Sequence, residues 1–335
     1  MRSSDFVYDL PVELIAQEPL ADRSASRLLL LHRETGEIEH RSFRDAIGFL
    51  NPGDLLVLND TRVSAVRLLG KRASGGAVEA LLLEDHGDGR FTALTRPAKK
   101  LREGERIEFG PGLDAVVEQD LGNGKKTLAF VQSNYETALA RIGKVPLPPY
   151  ITASLADPER YQTVYSNSKG SAAAPTAGLH FTKELLGAIR AKGVATAMVT
   201  LDVSLDTFRP ITSDIVEDHV MHGERCHLSE ETARLVNACE GRVFAVGTTS
   251  VRTLESFSTA RGRVAPGTKV TDLFITPGYE FKVVDGLFTN FHMPGTTLML
   301  LVSAFAGRAN VLGAYRSAVD NRYRFLSFGD AMLIV

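Results

Sequence analysis

Between residues 63 and 131 the sequence consists of short apolar runs separated by glycine-rich turns, and this pattern constrains the fold of the chain more than any other feature. The short apolar runs there are Ala77–Leu83, Phe91–Thr95, Arg106–Phe109, Ala115–Glu118 and Thr127–Val131. The turns between them are rich in glycine: Gly75-Gly76, Gly87-Asp88-Gly89, Gly110-Pro111-Gly112 and Gly122-Asn123-Gly124. Strands this short at such spacing predict a small antiparallel β-barrel.

Helices and strands alternate on the carboxyl-terminal side of this region. Lys183–Lys192 reads as a helix and Val194–Val199 as a strand, and the strand Arg242–Val246 precedes the helix Thr249–Ser258. This pattern is typical of the α/β class. We therefore predict an α/β main domain, barrel-like, built from residues 1–62 and 149–335, with an all-β domain, a small β-barrel, inserted over residues 63–148.

Composition narrows the class of protein. The net charge of −2 over 335 residues excludes a wholly basic protein that coats polyanions, but it allows a local basic patch. The run Arg96–Arg102 is the best candidate for phosphate contact, and a solvated charge run is the alternative. Cys226 and Cys239 cannot make a disulfide framework, and no stretch reaches ~18 apolar residues. We expect a cytoplasmic protein that does not enter a membrane.

Two loops lead into predicted helices. In 173–182, small residues around His180 would let the backbone approach a ligand. The alternative there is a tight turn with a structurally bonded histidine. In 244–256, a strand runs into Gly247, Thr248 and Thr249 at the carboxyl edge of the sheet, where ligands bind, with Arg252 about one helical turn further on. The threonine hydroxyls and N–H groups there would hold a carboxylate, or would only cap the helix.

Two other groups of polar residues stand out. Asn290 and His292 alternate with Phe291, so an extended chain would place both on one face. The second group is His219, His222, Cys226 and His227. Its spacing fits no common zinc pattern, so we expect structural roles there and no metal.

Eleven motifs in order resemble those of one enzyme family. They are Asp5-Phe-x-Tyr-Asp-Leu-Pro11 with Ile15-Ala-Gln17, Asn59-Asp-Thr-Arg-Val63, Arg96-Pro-x-Lys-Lys100, Pro146-Leu-Pro-Pro-Tyr-Ile151, Arg160-Tyr-Gln-Thr-Val-Tyr165, Ala174-Pro-Thr-Ala-Gly-Leu-His-Phe181, Val246-Gly-Thr-Thr-Ser-Val-Arg252, Asn290-Phe-His292, Leu301-Val-Ser-Ala-Phe-Ala-Gly307 and Tyr323-Arg-Phe-x-Ser-x-Gly-Asp-Ala-Met332. With these motifs the chain resembles the S-adenosylmethionine:tRNA ribosyltransferase-isomerases of queuosine biosynthesis.

The resemblance implies a fold and an activity. The family is similar to a metal-free, two-domain monomer in which a β-barrel is inserted into an α/β barrel. It transfers and isomerises the ribosyl part of S-adenosylmethionine onto 7-aminomethyl-7-deazaguanine at the tRNA wobble position, with release of adenine and methionine. No cofactor is implied beyond S-adenosylmethionine as co-substrate.

The resemblance also implies roles for residues. Proton transfer would fall to His180 or His292, with Asp272 or Asp330 as possible partners. S-adenosylmethionine would be bound by Thr176, Gly178, Gly247, Thr248, Thr249, Arg252 and Asn290. The tRNA would be bound by Arg62, Arg96, Lys99, Lys100, Arg160, Tyr161 and Gln162.

One loop departs from the family pattern. Where the family usually has a histidine and two glycines, this chain has Asp202, Ser204 and Asp206, and Gly223 replaces a usual serine. Loss of such glycines could reshape a pocket wall. The alternative function is therefore a paralogue that keeps the fold and tRNA binding but has altered or lost catalysis. A nucleoside-handling hydrolase is a third, weaker reading.

Overall fold

The computed structural model describes residues 1–204, 207 and 210–335. The chain forms two compact units. The main unit comprises Met1–Arg62, Pro148–Ser168 and Ala174–Val335. The insert comprises Val63–Leu147 and Lys169–Ala173, so it includes a short second segment in addition to a stretch close to the predicted one.

The insert is a closed six-stranded barrel. Its strands are β5 (Val66–Arg72), β6 (Ala77–Gly87), β7 (Arg90–Arg96), β8 (Arg106–Gly110), β9 (Leu113–Gly122) and β10 (Lys125–Phe130), and they pair in the order β10-β7-β6-β5-β8-β9. The turn between β9 and β10 has positive φ at Asn123 and Gly124, as a tight hairpin requires. Alternate residues of these strands fill the interior, and helix α1 (Tyr135–Ile142) packs against that core.

The main unit is organised around a nine-stranded sheet. Its strands are β1 (Arg27–Leu31), β2 (Ile38–Ser42), β3 (Leu55–Asn59), β12 (Ala195–Leu201), β13 (Glu224–Leu228), β14 (Val243–Val246), β17 (Gly267–Thr271), β18 (Gly286–Asn290) and β19 (Ala331–Ile334). Their order is β17-β13-β12-β3-β14-β18-β19-β1-β2. The α/β class and the small β-barrel are confirmed, and the closed ring of strands belongs to the insert.

Helices and short elements complete the described chain. The helices are α2 (Lys183–Ala191), α3 (Glu230–Asn237), α4 (Thr248–Ser256), α5 (Thr297–Ala306) and α6 (Arg308–Asp320). The remaining strands are β4 (Thr61–Val63), β11 (Ser168–Ser171), β15 (Ser258–Ala260) and β16 (Arg263–Val264). Short 3₁₀ helices lie at Ser3–Phe6, Val12–Leu14, Arg23–Ala25, Phe43–Phe49, Ala98–Lys100, Pro158–Tyr161, Thr176–His180 and Val216–Asp218.

Local sequence explains why the predicted helices form where they do. The Thr182 side chain accepts a hydrogen bond from Leu185 N at 3.1 Å, and Ser229 caps α3 in the same way, so each satisfies a free N–H of its first turn. Against one face of the sheet, α2 and the 3₁₀ helix Phe43–Phe49 bury apolar residues including Phe181, Leu186 and Ile189.

Among the described residues, no single helix is both long and apolar enough to cross a membrane. By length and composition alone, α5 and α6 taken together are long and apolar enough, but the pair is bent by 113° at the break between them.

Candidate active site

A pocket opens where parallel strands of the main sheet end. Strands β12, β3, β14 and β18 run parallel to one another, so their carboxyl ends lie at one edge. We call the cavity at this edge the strand-end pocket; it encloses about 590 Å³, part of it open to solvent. Its lining residues are Tyr150, Ala174, Pro175, Thr176, Ala177, Val203, Thr207, Gly247, Thr248, Thr249, Thr289, Asn290, Phe291, His292, Met293, Thr296, Leu298, Leu326 and Ser327. The carboxyl edge of an open α/β sheet is the usual place for a ligand.

Asn59, at the end of β3, holds this edge together. Its buried side-chain amide donates to Leu201 O at 3.0 Å and to Thr249 Oγ1 at 3.2 Å. Its Oδ1 accepts from Leu201 N and Thr61 N, both at 3.1 Å. Three neighbouring segments are therefore locked by one side chain, which fixes the orientation of Thr249.

Helix α4 begins at the wall of the strand-end pocket. Gly247 precedes it with φ of 85°, a conformation that disfavours other residues, and its N–H donates to Phe288 O. The first N–H groups of a helix have no partner within the helix, and they carry partial positive charge. The start of α4 at Thr248 and Thr249 therefore offers donors for a carboxylate.

Asn290, at the end of β18, presents an unsatisfied acceptor. Its Nδ2 lies 3.0 Å from Leu326 O and 3.3 Å from His180 Nε2. Because a carbonyl only accepts, the amide NH₂ group must face Leu326, which fixes the orientation of the amide. Asn290 Oδ1 is buried, and no hydrogen-bond partner reaches it among the described residues. An atom of this kind favours a ligand donor.

His180 has both ring nitrogens engaged. Nε2 accepts from Asn290, so Nδ1 carries the proton and donates to Ser26 Oγ at 2.8 Å. Burial, aided by the charges of Arg23 and Arg324, lowers the pKa of His180 to about 3. The imidazole is thus neutral, and it links two segments that are far apart in the chain.

His292 has a different hydrogen-bond arrangement. Thr289 Oγ1 donates to Asn290 O at 3.3 Å, so it is free to accept from His292 Nε2, which lies 2.8 Å away. This places the proton on Nε2 and a lone pair on Nδ1, for which the described residues provide no hydrogen-bond partner. Burial lowers the pKa of His292 to about 3, so the ring is neutral at physiological pH. His292 can therefore accept a proton in the strand-end pocket.

Arg252 lies in a second cavity next to the first. It is buried, and its guanidinium donates to the Glu224 carboxylate, to Leu273 O and to Thr271 O. Glu224 also accepts from Ser204 N at 2.8 Å and from Thr207 Oγ1 at 3.0 Å. Burial alone would raise the pKa of Glu224, but the proximity of His222 and the charge of Arg252 outweigh it, and the pKa is lowered. Arg252 is thus committed to Glu224 in this structure rather than turned toward the strand-end pocket.

A third cavity, which we call the arginine pocket, adjoins the strand-end pocket at Ser327. It encloses about 300 Å³. Its lining residues are Pro19, Leu20, Arg23, Ser26, Arg160, Leu179, His180, Ser327, Phe328 and Gly329. His180 therefore lies in this cavity, and its contact with Asn290 connects it to the strand-end pocket.

Two predicted site residues hold the fold in place. Gly178 has no room for a side chain, because a Cβ there would lie 2.1 Å from the Tyr165 hydroxyl. Asp330 is buried and accepts from Arg27 N and Arg324 N, both at 2.8 Å. Burial raises its pKa against these hydrogen bonds. Packing accounts for Gly178, and backbone hydrogen bonds account for Asp330. Asp272, the other predicted partner for a histidine, is exposed just after β17.

Comparison with known proteins identifies the family. A family model described as a queuosine biosynthesis protein matches residues 3–334. The chain belongs to this family. Curated relatives named S-adenosylmethionine:tRNA ribosyltransferase-isomerase are 54% identical in Symbiobacterium thermophilum, 52% in Acetivibrio thermocellus and 49% in Caldanaerobacter subterraneus subsp. tengcongensis. Each alignment covers 100% of both chains.

A solved structure agrees with this assignment. The crystal structure of S-adenosylmethionine tRNA ribosyltransferase from Thermotoga maritima matches 99% of this chain and 100% of its own, at 40% identity and a TM-score of 0.57. No relative compared here favours a family member with altered or lost catalysis. In the loop that departs from the family pattern, the Asp202 carboxylate accepts a hydrogen bond from Thr61 Oγ1 at 3.1 Å. The backbone N–H of Ser204 donates to the Glu224 carboxylate. Asp206 lies outside the described residues.

Two predicted RNA-binding residues of this family member are in its core. Tyr161 is 0% exposed and packs edge-on against Phe328, and Gln162 is 5% exposed. Both side chains are therefore buried rather than presented to RNA in this conformation. The motif gives no sign of which of its members face the interior.

The other predicted RNA contacts are accessible. In the insert, Arg96, Lys99 and Lys100 are exposed, and the described residues place no carboxylate within ion-pair distance of them. In the main unit, Arg62 is half-buried and pairs with Glu159. Arg160 donates to the backbone oxygens of Ala21 and Leu20.

The histidine and cysteine group is dispersed among separate partners. His219 packs against Phe274, His222 lies 3.5 Å from Glu224 Oε1, and His227 bonds Thr268 Oγ1 at 2.8 Å. Over the part of the chain that the structure describes, no three His, Cys, Asp or Glu side chains form a metal-binding group.

Residues missed by the sequence analysis also line the pockets. Tyr150 donates to or accepts from Ser327 at 2.7 Å, and Ser327 lines both the strand-end and the arginine pockets. Both belong to motifs shared with the family, but neither carries a charge or a readily titrated group that would have drawn attention to it. Thr207 was missed for the same reason.

Proposed function

We propose that this chain transfers and isomerises the ribosyl part of S-adenosylmethionine onto the 7-aminomethyl-7-deazaguanine base at the tRNA wobble position. The observation that carries the proposal is the full-length similarity to relatives named for this activity. It is supported by a pocket that combines anion donors, a neutral histidine and an unsatisfied amide oxygen at the edge of the sheet.

S-adenosylmethionine occupies the strand-end pocket in this proposal. Hydroxyl, amide and imidazole groups line this pocket beside apolar side chains, the mixture expected of a small-molecule site. The methionine carboxylate lies at the start of α4, near Thr248 and Thr249, because that helix end supplies N–H donors and a favourable dipole. Arg252 acts as a positioning residue, since its guanidinium is occupied by Glu224.

His292 is the proposed proton-transfer group. The sulfonium acidifies the ribose 5′-carbon, and Nδ1 of the neutral imidazole accepts the proton that leaves it. Because burial disfavours the charged ring, the resulting imidazolium then passes its proton to the departing adenine. The tRNA amine is the incoming nucleophile, so no covalent bond to the protein is needed.

The same proposal extends to the conditions in which the protein works. S-adenosylmethionine and tRNA meet in the cytoplasm, and both cysteines are free thiols. We place the enzyme there as a monomer with no cofactor beyond S-adenosylmethionine. Light scattering during size-exclusion chromatography tests the oligomeric state; a dimer mass would contradict it.

Adenine release tests the activity. The full chain is incubated with S-adenosylmethionine and tRNA that carries the 7-aminomethyl precursor base, and adenine is measured by chromatography. We expect adenine in amounts equal to modified tRNA, and none with tRNA that carries guanine at that position. Binding of the precursor tRNA without adenine release would contradict the proposal, and adenine release without tRNA would indicate a hydrolase.

A further inference from the structure

Three arginines of the main unit stand close to His180 without a carboxylate partner. Arg23 donates to Leu179 O at 3.3 Å and to Glu159 O at 3.0 Å. Arg160 donates to Leu20 O and Ala21 O, and Arg324 donates to Glu18 O. Among the described residues, no Asp or Glu oxygen lies within ion-pair distance of any of the three. Backbone oxygens satisfy some of their N–H groups, and the charges of Asp157 and Glu159 act on Arg23 only from beyond ion-pair distance.

The nearby carboxylates are used elsewhere. Glu159 pairs with Arg62, and Asp22 pairs with Arg44. Asp157 accepts from Glu159 N at 3.0 Å, where it caps a 3₁₀ helix. With no ion pair to Arg23 or Arg160 among the described residues, the arginine pocket keeps positive charge, and the charge of Arg23 adds to burial, the main cause, in lowering the pKa of His180.

The arginine pocket also contains a hydrogen-bond donor without a partner among the described residues. The Nε of Arg160, which lines this pocket, is buried and has no hydrogen-bond partner among the described residues. Pro19, Leu20 and Phe328 contribute apolar surface to the same lining. A cavity lined by both guanidinium groups and apolar side chains suits a ligand that carries both an anionic oxygen and a flat, weakly polar ring, as a nucleotide does.

We propose that the arginine pocket holds a phosphodiester of the acceptor RNA strand, with Arg23 and Arg160 as its phosphate contacts. This inference rests on the proposed function, which makes tRNA the acceptor. Because Ser327 lines both cavities, a nucleotide bound beside the arginines has its neighbour at the mouth of the strand-end pocket. The arginine pocket thus sets which base of the strand reaches the reacting carbon.

Salt dependence of RNA binding tests this site. The probe is an anticodon stem-loop RNA that carries the 7-aminomethyl precursor base, and Kd is measured between 50 and 300 mM KCl, a range chosen as roughly that over which phosphate contacts are screened. Each phosphate contact to a single strand contributes about 0.7 to the slope of log K against log salt. We expect Arg23→Gln and Arg160→Gln each to weaken binding about tenfold at the lowest salt and to reduce the slope by about 0.7.

Two control variants distinguish an arginine that binds phosphate through its charge from one that only supports the loop at Leu20 and Ala21. Arg261→Gln removes an exposed arginine that also donates to a backbone oxygen, that of Phe281, and it should leave the slope unchanged. Arg160→Lys keeps the charge but loses the fork that bonds Leu20 and Ala21. If Arg160 contacts phosphate, the lysine variant keeps most of the slope; if it only supports the loop, lysine and glutamine behave alike, which overturns the inference.

Further outcomes separate this site from the proposed function. Binding of S-adenosylmethionine, measured by calorimetry, should stay within about twofold in the glutamine variants, which also reports that they are folded. If the salt slope of RNA binding falls in the glutamine variants but the wild-type protein releases no adenine, the phosphate site is supported and the proposed function is rejected. If the wild-type protein releases adenine but both glutamine variants keep the wild-type salt slope, the phosphate site is rejected. If inorganic phosphate binds at the arginines and the RNA slope is unchanged, the site binds free phosphate and the RNA assignment is wrong.

Discussion

The strand-end pocket and the arginine pocket adjoin each other but differ in whether the arginines beside them form ion pairs. Beside the strand-end pocket, the buried Arg252 is neutralised by Glu224, and the lining is made of hydroxyls, amides and a neutral histidine. In the arginine pocket, Arg23 and Arg160 are half-buried and bond only backbone oxygens. A sulfonium cation is tolerated in the first environment and repelled by the second, whereas a phosphate is attracted to the second.

The two histidines follow the same division. His180 uses both ring nitrogens to connect Ser26 and Asn290, which suits a positioning role. His292 uses only one, on Thr289, and keeps a lone pair for the pocket. Burial makes both rings neutral, so the hydrogen-bond partners, rather than the pKa, distinguish the residue that reacts from the residue that orients.

Replacing His292 should give the largest effect. His292→Ala removes the proposed proton acceptor, and adenine release under single-turnover conditions should fall by about 10²–10⁴-fold, with little change in the binding of S-adenosylmethionine. His180→Ala should cost less, because it disturbs Asn290 without removing the lone pair. His227→Ala, at an exposed histidine, is the control. Equal losses for His180→Ala and His292→Ala would remove the distinction between them.

Replacing Glu224 should leave Arg252 without an ion pair, as Arg23 and Arg160 are in the arginine pocket, but at a buried position. Glu224→Gln leaves a buried guanidinium without its counter-charge, and the free energy of unfolding should fall by about 3–5 kcal/mol in urea. Glu217→Gln, which loosens an exposed pair with the chain's amino terminus, is the matched control and should have little effect. A similar small change for Glu224→Gln would show that the pair does not neutralise Arg252.

The pH dependence of stability should report both buried histidines. Each has a folded-state pKa of about 3 against an ordinary value of 6.5, so the unfolded chain binds protons first as the pH falls. Their contribution to stability is complete above pH 6.5 and is lost below it. From pH 7 to 5.5 it should decrease by about 1 kcal/mol per histidine. Urea unfolding of His180→Asn and His292→Asn at both pH values checks this: each variant should lose part of the difference, and His227→Asn should not.

The smallest effect is expected at the junction of the two cavities. Tyr150→Phe removes the hydroxyl that bonds Ser327 but keeps the ring, and kcat/KM for the precursor RNA should fall about two- to tenfold. Tyr135→Phe, in the insert, serves as the control. If kcat/KM is unchanged for Tyr150→Phe, the two cavities do not depend on that hydrogen bond for their alignment.

Much of the fold and part of the site were predictable from the sequence. Glycine-rich turns predicted the barrel because tight hairpins need positive φ, and the strand-to-helix loop at Gly247 predicted a ligand edge because parallel strands share their carboxyl ends. Thr176, Thr248, Asn290 and His292 do meet in one pocket. Their arrival there follows from local patterns that the sequence displays directly.

The remaining features depend on packing between distant segments. Tyr161 is buried against Phe328, and the pairing of Arg252 with Glu224 joins residues 28 positions apart. The arginine pocket draws its lining from around residues 23, 160, 180 and 328, and no local sequence pattern indicates it. Motif resemblance marks such residues as part of the family without telling whether each faces substrate or core.

In our proposal, chemistry and RNA binding are divided between the strand-end pocket and the arginine pocket. Single-turnover adenine release, measured against the concentration of the precursor stem-loop RNA, separates the two roles. We expect His292→Ala to lower the maximal rate with the half-saturating RNA concentration unchanged, and Arg23→Gln with Arg160→Gln to raise that concentration with the maximal rate nearly kept. Loss of maximal rate alone in the arginine variant, or of RNA affinity alone in the histidine variant, would contradict it.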